Sequence, residues 1–170
     1  VEPIIQFLDD VLVIAHWNNL QILENGGMLL SQHVRAMKAK AEMMHKWYPD
    51  MIVTLSITRP GVPIASKTVR DEMAQMLRDL KPIEQRLAVV LEATGIFASA
   101  LRTTLKTMVV LTGQRNLKIV SSIGEGLDSL APAVRTREGV TVSRAELEAC
   151  VDKVRAAYAR ERTRPTQTVV

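Results

Sequence analysis

Arg86-Leu-Ala-Val-Val-Leu-Glu-Ala-Thr94, Gly95, the run from Ile96 to Thr112, Gly113, and Leu117-Lys-Ile-Val-Ser121 decide the fold. The first nine residues are nearly continuous apolar sequence, the pattern of a strand covered on both faces. Gly95 punctuates it. Phe97, Leu101, Leu105, Met108 and Leu111 then recur at helical spacing, and Gly113 ends that run. Leu117–Ser121 reads as a second strand. Strand, helix and strand make a βαβ unit, which demands a parallel pair and a right-handed crossover. The stretch extends to Ile123.

Upstream, Ile4-Ile-Gln-Phe-Leu8 and Val11-Leu-Val-Ile-Ala15 flank Asp9-Asp10 and read as a hairpin. His16-Trp17-Asn18-Asn19 is a polar exit from it. Residues 20–24 read as a short helical turn or a loop before the breaker Asn25-Gly26-Gly27. From Met28 to about Trp47 the spacing of Leu30, Val34, Met37, Ala41 and Met44 predicts a helix. His33 and His45 fall outside that stripe and read as solvated. Met51-Ile-Val-Thr-Leu-Ser-Ile57 is a β-branched strand. A proline-braced loop, residues 58–65, leads to a helix bearing Val69, Met73, Met76, Leu77 and Leu80 on one face. Ser66, or Thr68 with Asp71, would cap it. Downstream, Gly124-Glu-Gly126 reads as a turn into a short helix, residues 127–130. Residues 132–142 read as a polar linker. Ser143 and Glu146 make a capping box for a helix with Leu147, Val151, Val154 and Tyr158 on one face. Residues 163–170 read as a disordered tail.

Composition sets wider bounds. At 170 residues, with 47% hydrophobic and 24% charged, the chain suits one domain with a terminal extension. Aromatics are scarce at 4%, and eight methionines fill their place with an adaptable core. The net charge of +4 is far from a nucleic-acid footprint, so no nucleic-acid partner is expected. Arg155, Arg160, Arg162 and Arg164 read as a frayed basic tail. The single cysteine, Cys150, excludes an internal disulfide and a cysteine-based zinc site, and falls on the apolar side of its helix. The three histidines have no His or Cys at i+3 or i+4, so no helical metal pair is expected. No cofactor motif is present. No run approaches the ~18 apolar residues of a membrane span, and no signal peptide is visible, so the expected location is cytoplasmic.

The element order, β-β-α-β-α-β-α-β-α with an appended helix, resembles the STAS domain of bacterial anti-sigma-factor antagonists over residues 4–131. The resemblance implies an α/β fold, a mixed sheet of about five strands with helices. It divides the chain into a STAS-like domain (1–131), a linker (132–142), an amphipathic helix (143–162) and a tail (163–170). In that family the loop after the third strand carries Asp-Ser-Ser-Gly, whose serine is phosphorylated by a partner kinase. The equivalent stretch here is Val62-Pro-Ile-Ala-Ser66-Lys67-Thr68, which lacks the aspartate and glycine.

The resemblance implies a non-enzymatic regulatory or scaffold domain that docks a protein partner at the helix starting near Ser66. Ser66, Lys67, Thr68, Arg59 and Arg70 are the candidate docking or regulatory residues. A phosphate at Ser66 would meet free N–H groups and the helix dipole, with Lys67 and Arg70 near in sequence. The plainer reading of Ser66 or Thr68 is a helix cap. Glu92, Thr94 and Ser99 share the C-terminal strand edge, where open α/β sheets bind ligands. With Arg59 and Ser66 they would line a small crevice. Arg102 and Lys106 read as a solvated helix face rather than an anion-binding strip. The alternative function is small-ligand or lipid binding in a Met-lined crevice beneath helices 28–47 and 68–80. A third, enzymatic reading would use Glu92 as general acid or base and needs a polar partner beside it. The apolar face of residues 143–160 would either pack on its own sheet or join a second copy.

Overall fold

The computed structural model describes residues 2–163. Strands β1 (Ile4–Phe7), β2 (Leu12–Trp17), β3 (Leu20–Asn25), β4 (Ile52–Thr58), β5 (Glu84–Leu91) and β6 (Leu117–Val120) form one sheet in sequential order. β1, β2 and β3 pair antiparallel, whereas β3 to β6 pair parallel. Helices α1 (Ser31–Trp47), α2 (Lys67–Leu80) and α3 (Gly95–Thr112) provide the crossovers. They cover one face. α4 (Ile123–Leu130) and α5 (Arg144–Thr163) cover the other. The α/β class and the appended C-terminal helix are as the sequence indicates. The disordered-tail expectation falls on residues 164–170, outside those described.

The sheet has six strands rather than about five. The extra one, β3, comes from the stretch read as turn or loop. Asn18-Asn19 forms a tight hairpin turn with Asn18 at φ 55°, a conformation asparagine tolerates. Asn19 then fixes this turn to the rest of the fold. Its amide donates to the carbonyls of Met51 and Ala133, at 3.3 and 3.1 Å, and its oxygen accepts from Arg135 N–H at 2.8 Å. All six β3 residues are buried, including Gln21, Glu24 and Asn25. Those polar residues broke the apolar pattern by which a covered strand is recognised.

Two other expectations change. His33 is buried, not solvated. Its Nδ1 accepts the Leu30 N–H at 2.9 Å, which places the proton on Nε2, where it is donated to Asp9 at 2.7 Å. The residue therefore closes the start of α1 onto the β1–β2 turn. Gly124 and Gly126 lie inside α4, which starts four residues before the expected helix, with Ser122 as its N-cap. A Cβ at Gly126 would sit 3.0 Å from Val90 and 3.2 Å from Leu55. The glycine lets α4 lie close on the sheet.

α5 is a structural layer of the sheet. Leu147, Cys150, Val151, Val154 and Tyr158 are buried in one cluster with Ala15, Leu20, Ile22 and Val53. Residues 132–142 add Ala133, Val134 and Val142 to the same core. The apolar stripe of α5 is thus covered by its own chain. The Ser143–Glu146 box forms reciprocally, with Glu146 N–H on Ser143 Oγ at 3.2 Å and Ser143 N–H on Glu146 at 2.9 Å. Burial pushes the Cys150 thiol up to about 12, which keeps it protonated and inert.

We expect Leu147→Ala to cost about 2–5 kcal/mol, whereas Ala156→Ser, on the exposed face of the same helix, stays within about 0.5 kcal/mol of wild type. Chemical denaturation of the two variants checks this. Equal midpoints would mean that α5 is not part of the cooperative core.

Candidate functional site

Two places gather polar chemistry. The first is the C-terminal edge of the parallel strands. Glu24 in β3 is wholly buried. Arg59, just past β4, donates from Nε to Glu24 Oε1 at 2.7 Å, and Arg155 Nε of α5 lies 3.4 Å from the same oxygen. Arg155 Nη2 also reaches both oxygens of Glu92, at 2.9 and 3.0 Å. Tyr158 lies beneath this cluster. Arg59 stacks 4.7 Å above its ring centroid, and Arg162 approaches at 5.8 Å. The Tyr158 hydroxyl donates to the Asp10 carbonyl at 3.3 Å. It packs so tightly on Gly26 that a Cβ there would collide with it. Arg155 and Arg162 are therefore working parts of an ordered helix and not a frayed tail. The network clasps α5 to the ends of β3, β4 and β5.

Of the expected crevice residues, Arg59 and Glu92 are thus joined, through Glu24 and Arg155. Thr94 and Ser99 stay outside this network. Thr94 is the exposed N-cap residue of α3 with no capping bond from its side chain. The Ser99 hydroxyl turns back to the Gly95 carbonyl at 3.4 Å. Arg102, on the same helix, donates to the Ser121 hydroxyl at 3.0 Å. Glu24 and Tyr158 were missed as site residues. Glu24 sat in a stretch not read as strand, and Tyr158 read only as part of an apolar stripe.

The residues around Ser66 resolve into a helix start. Ser66 Oγ accepts Val69 N–H at 3.3 Å, so Ser66 and not Thr68 is the cap. Lys67 pairs with Asp71 at 2.7 Å on the surface. Arg70 donates to the Ala65 carbonyl at 2.7 Å, holding the end of the preceding loop. Ser66, Lys67 and Thr68 are exposed.

The second place is a cavity of about 120 Å³ between the sheet and helices α1 to α3. Met37, Met73, Met76 and Met108 line its helical side, and the loop residues Val62 to Ala65 also border it. Its sheet side is mixed, with Leu23, Leu87 and Val89 beside a polar row on β4. Thr54, Ser56 and Thr58 alternate along β4 and point the same way, as the two-residue strand period requires. Glu84, at the start of β5, also lines the space and is almost wholly buried. It accepts from Gln114 Nε2 at 3.3 Å. Thr54 lies near it, but its hydroxyl makes no full hydrogen bond. Burial pushes the Glu84 carboxyl up to about 7 against the opposing effects of Thr54 and Gln114.

Two predictions arise here. Arg59→Ala and Arg155→Ala each remove a cation from the buried Glu24 carboxylate and should each cost about 2–3 kcal/mol, less than for a fully enclosed pair because both arginines are partly solvated. Since they share one partner, the double variant should depart from additivity by more than 0.5 kcal/mol; additive losses in a double-mutant cycle would show two separate contacts. The second concerns Glu84. Its raised folded-state value means that its stabilising contribution is complete below the ordinary value of 4.5 and is lost as pH rises through about 7. Glu84→Gln should therefore gain on wild type between pH 5 and pH 8, by ~3 kcal/mol at most. Melting curves of both proteins across that range measure the gap; a gap that does not change with pH would contradict it.

Comparison of the chain with protein-family models, with curated proteins and with solved structures finds no match.

Proposed function

We propose that the chain is a non-enzymatic regulatory or scaffold domain of STAS-like type, acting in the cytoplasm by docking a protein partner at the edge where α2 begins. The observation that carries this reading is the exposure of Ile96, at 92%, in the first turn of α3. A large apolar side chain so placed contributes nothing to its own core. Phe97 beside it is 40% exposed. Both α2 and α3 follow parallel strands, so both start at the same sheet edge. There the exposed Ser66, Lys67 and Thr68 add a polar margin, and the prolines at 60 and 63 stiffen the loop before them. An apolar centre with a polar rim is the usual composition of a protein-binding patch. A phosphate on Ser66 would keep a group able to accept Val69 N–H while placing about two negative charges on that rim.

The second reading, small-ligand binding, is favoured by the Met-lined cavity beneath α1 and α2. An apolar wall with a few polar groups is the ordinary lining of a small-molecule site, and the volume of about 120 Å³ suits only a small one.

The docking reading is tested by affinity capture from the native organism with wild type, Ser66→Ala, Ser66→Asp and Ile96→Glu. We expect a partner kept by Ser66→Ala and lost with both charged variants. Ser66→Ala alone should lose about 1 kcal/mol of stability with its capping bond, while Ser66→Asp, which can still cap, and Ile96→Glu melt close to wild type. Identical partner sets from all four proteins would remove this edge as a docking site.

A further inference from the structure

Glu84 differs from the other buried carboxylate of the fold. Glu24 has two guanidinium partners, whereas Glu84 has none among the described residues. The side chains that act on it are Thr54 from β4 and Gln114 from the segment after α3, both neutral. Among the described residues, Arg70 is the one cation bordering the cavity. It belongs to the first turn of α2, at the opposite strand edge from Glu84, and donates to the Ala65 carbonyl. The chain thus aims an uncompensated carboxyl, 3% exposed, into a ligand-sized space. The Thr54 hydroxyl beside it is buried and makes no full hydrogen bond, and the carboxyl has acceptor capacity beyond its one bond from Gln114. A buried hydroxyl in that state is normally satisfied by something.

We propose that the cavity binds a small primary amine with an apolar body, its ammonium on Glu84 and Thr54 and its hydrocarbon against the methionines. This inference rests on the small-ligand reading of the cavity. An ammonium group supplies donors and no acceptor, and carries the charge that Glu84 lacks. A carboxylate ligand would be repelled at that end, and an alcohol would leave an ionised Glu84 without a counter-charge. At about 120 Å³ the space is somewhat smaller than the roughly 150 Å³ apolar cavity that holds benzene, which limits the hydrocarbon to at most one ring. Methionine side chains adapt to such a group more readily than branched ones.

Isothermal titration of the full chain with benzylamine, and with benzyl alcohol as its neutral counterpart, tests the assignment. We expect benzylamine to bind one-to-one, and roughly tenfold more tightly at pH 8 than at pH 6, because Glu84 ionises over that range while the amine stays protonated. Glu84→Gln should weaken benzylamine at least about tenfold at pH 8 and abolish the pH dependence of its binding, with a melting curve of the variant showing that it is folded. The pH comparison needs no variant and decides the matter if Glu84→Gln does not fold. Benzyl alcohol binding as tightly as benzylamine, with no pH dependence, would overturn the amine assignment and leave a neutral-ligand cavity. Binding of neither probe would overturn both the assignment and the ligand reading.

Discussion

A parallel sheet has to be covered on both faces, because its strands carry apolar side chains to each side. Most of this fold follows from that requirement. The crossover helices α1, α2 and α3 serve one face as a by-product of connecting parallel strands. On the other face the chain leaving the last strand supplies first only α4, eight residues long. That is too short to cover β2 and β3 as well as β5. α5 completes the layer, and its buried side chains meet exactly those strands that α4 leaves open, β2 and β3 among them. The helix that reads as an appendage in sequence is therefore the part that makes the remainder a closed structure.

The two polar places depend on this layering in opposite ways. Glu24 points toward α5, where Arg155 can meet it. Glu84 lines the space beneath α1 to α3, where no cation among the described residues meets it. A single loop borders both regions. Arg59 at its start belongs to the clasp on Glu24, Val62 to Ala65 border the cavity, and Ser66 at its end caps α2. The chain has placed one short, proline-braced connection between a fixed ion pair, an internal space and an exposed helix start.

Much of the architecture was legible because periodicity survives without tertiary information. The apolar run before Gly95, the stripe from Val34 to Met44 and the Ser143–Glu146 box each report a local rule, and each holds. β3 was hidden because its polar residues are satisfied by distant partners. Gln21 donates to the Met37 carbonyl and Glu24 meets Arg59 and Arg155. Its legible signal was its frame, six residues between Asn18-Asn19 and Gly26-Gly27. His33 was hidden for the same reason, since Asp9 is 24 positions away. Arg59 and Glu92 were legible as site residues from strand-edge position alone. The link between them, Glu24 with Arg155, was not, because Glu24 lay in the hidden strand and nothing local sets the rotation of α5 over the sheet. The Met-lined crevice was legible from composition, but Glu84 lay just before the run recognised as β5.

The order in which the layers occur along the chain has a consequence for synthesis. Every strand precedes α5, so during translation all six emerge before the helix that covers β2 and β3 exists. Over that interval Leu20, Ile22 and Val53 face solvent on a sheet that can otherwise already pair. Such a surface is the kind that recruits chaperones or neighbouring chains. The clasp residues of α5 also arrive after Glu24 has been made, leaving that carboxylate solvated until the last layer closes and draws it in.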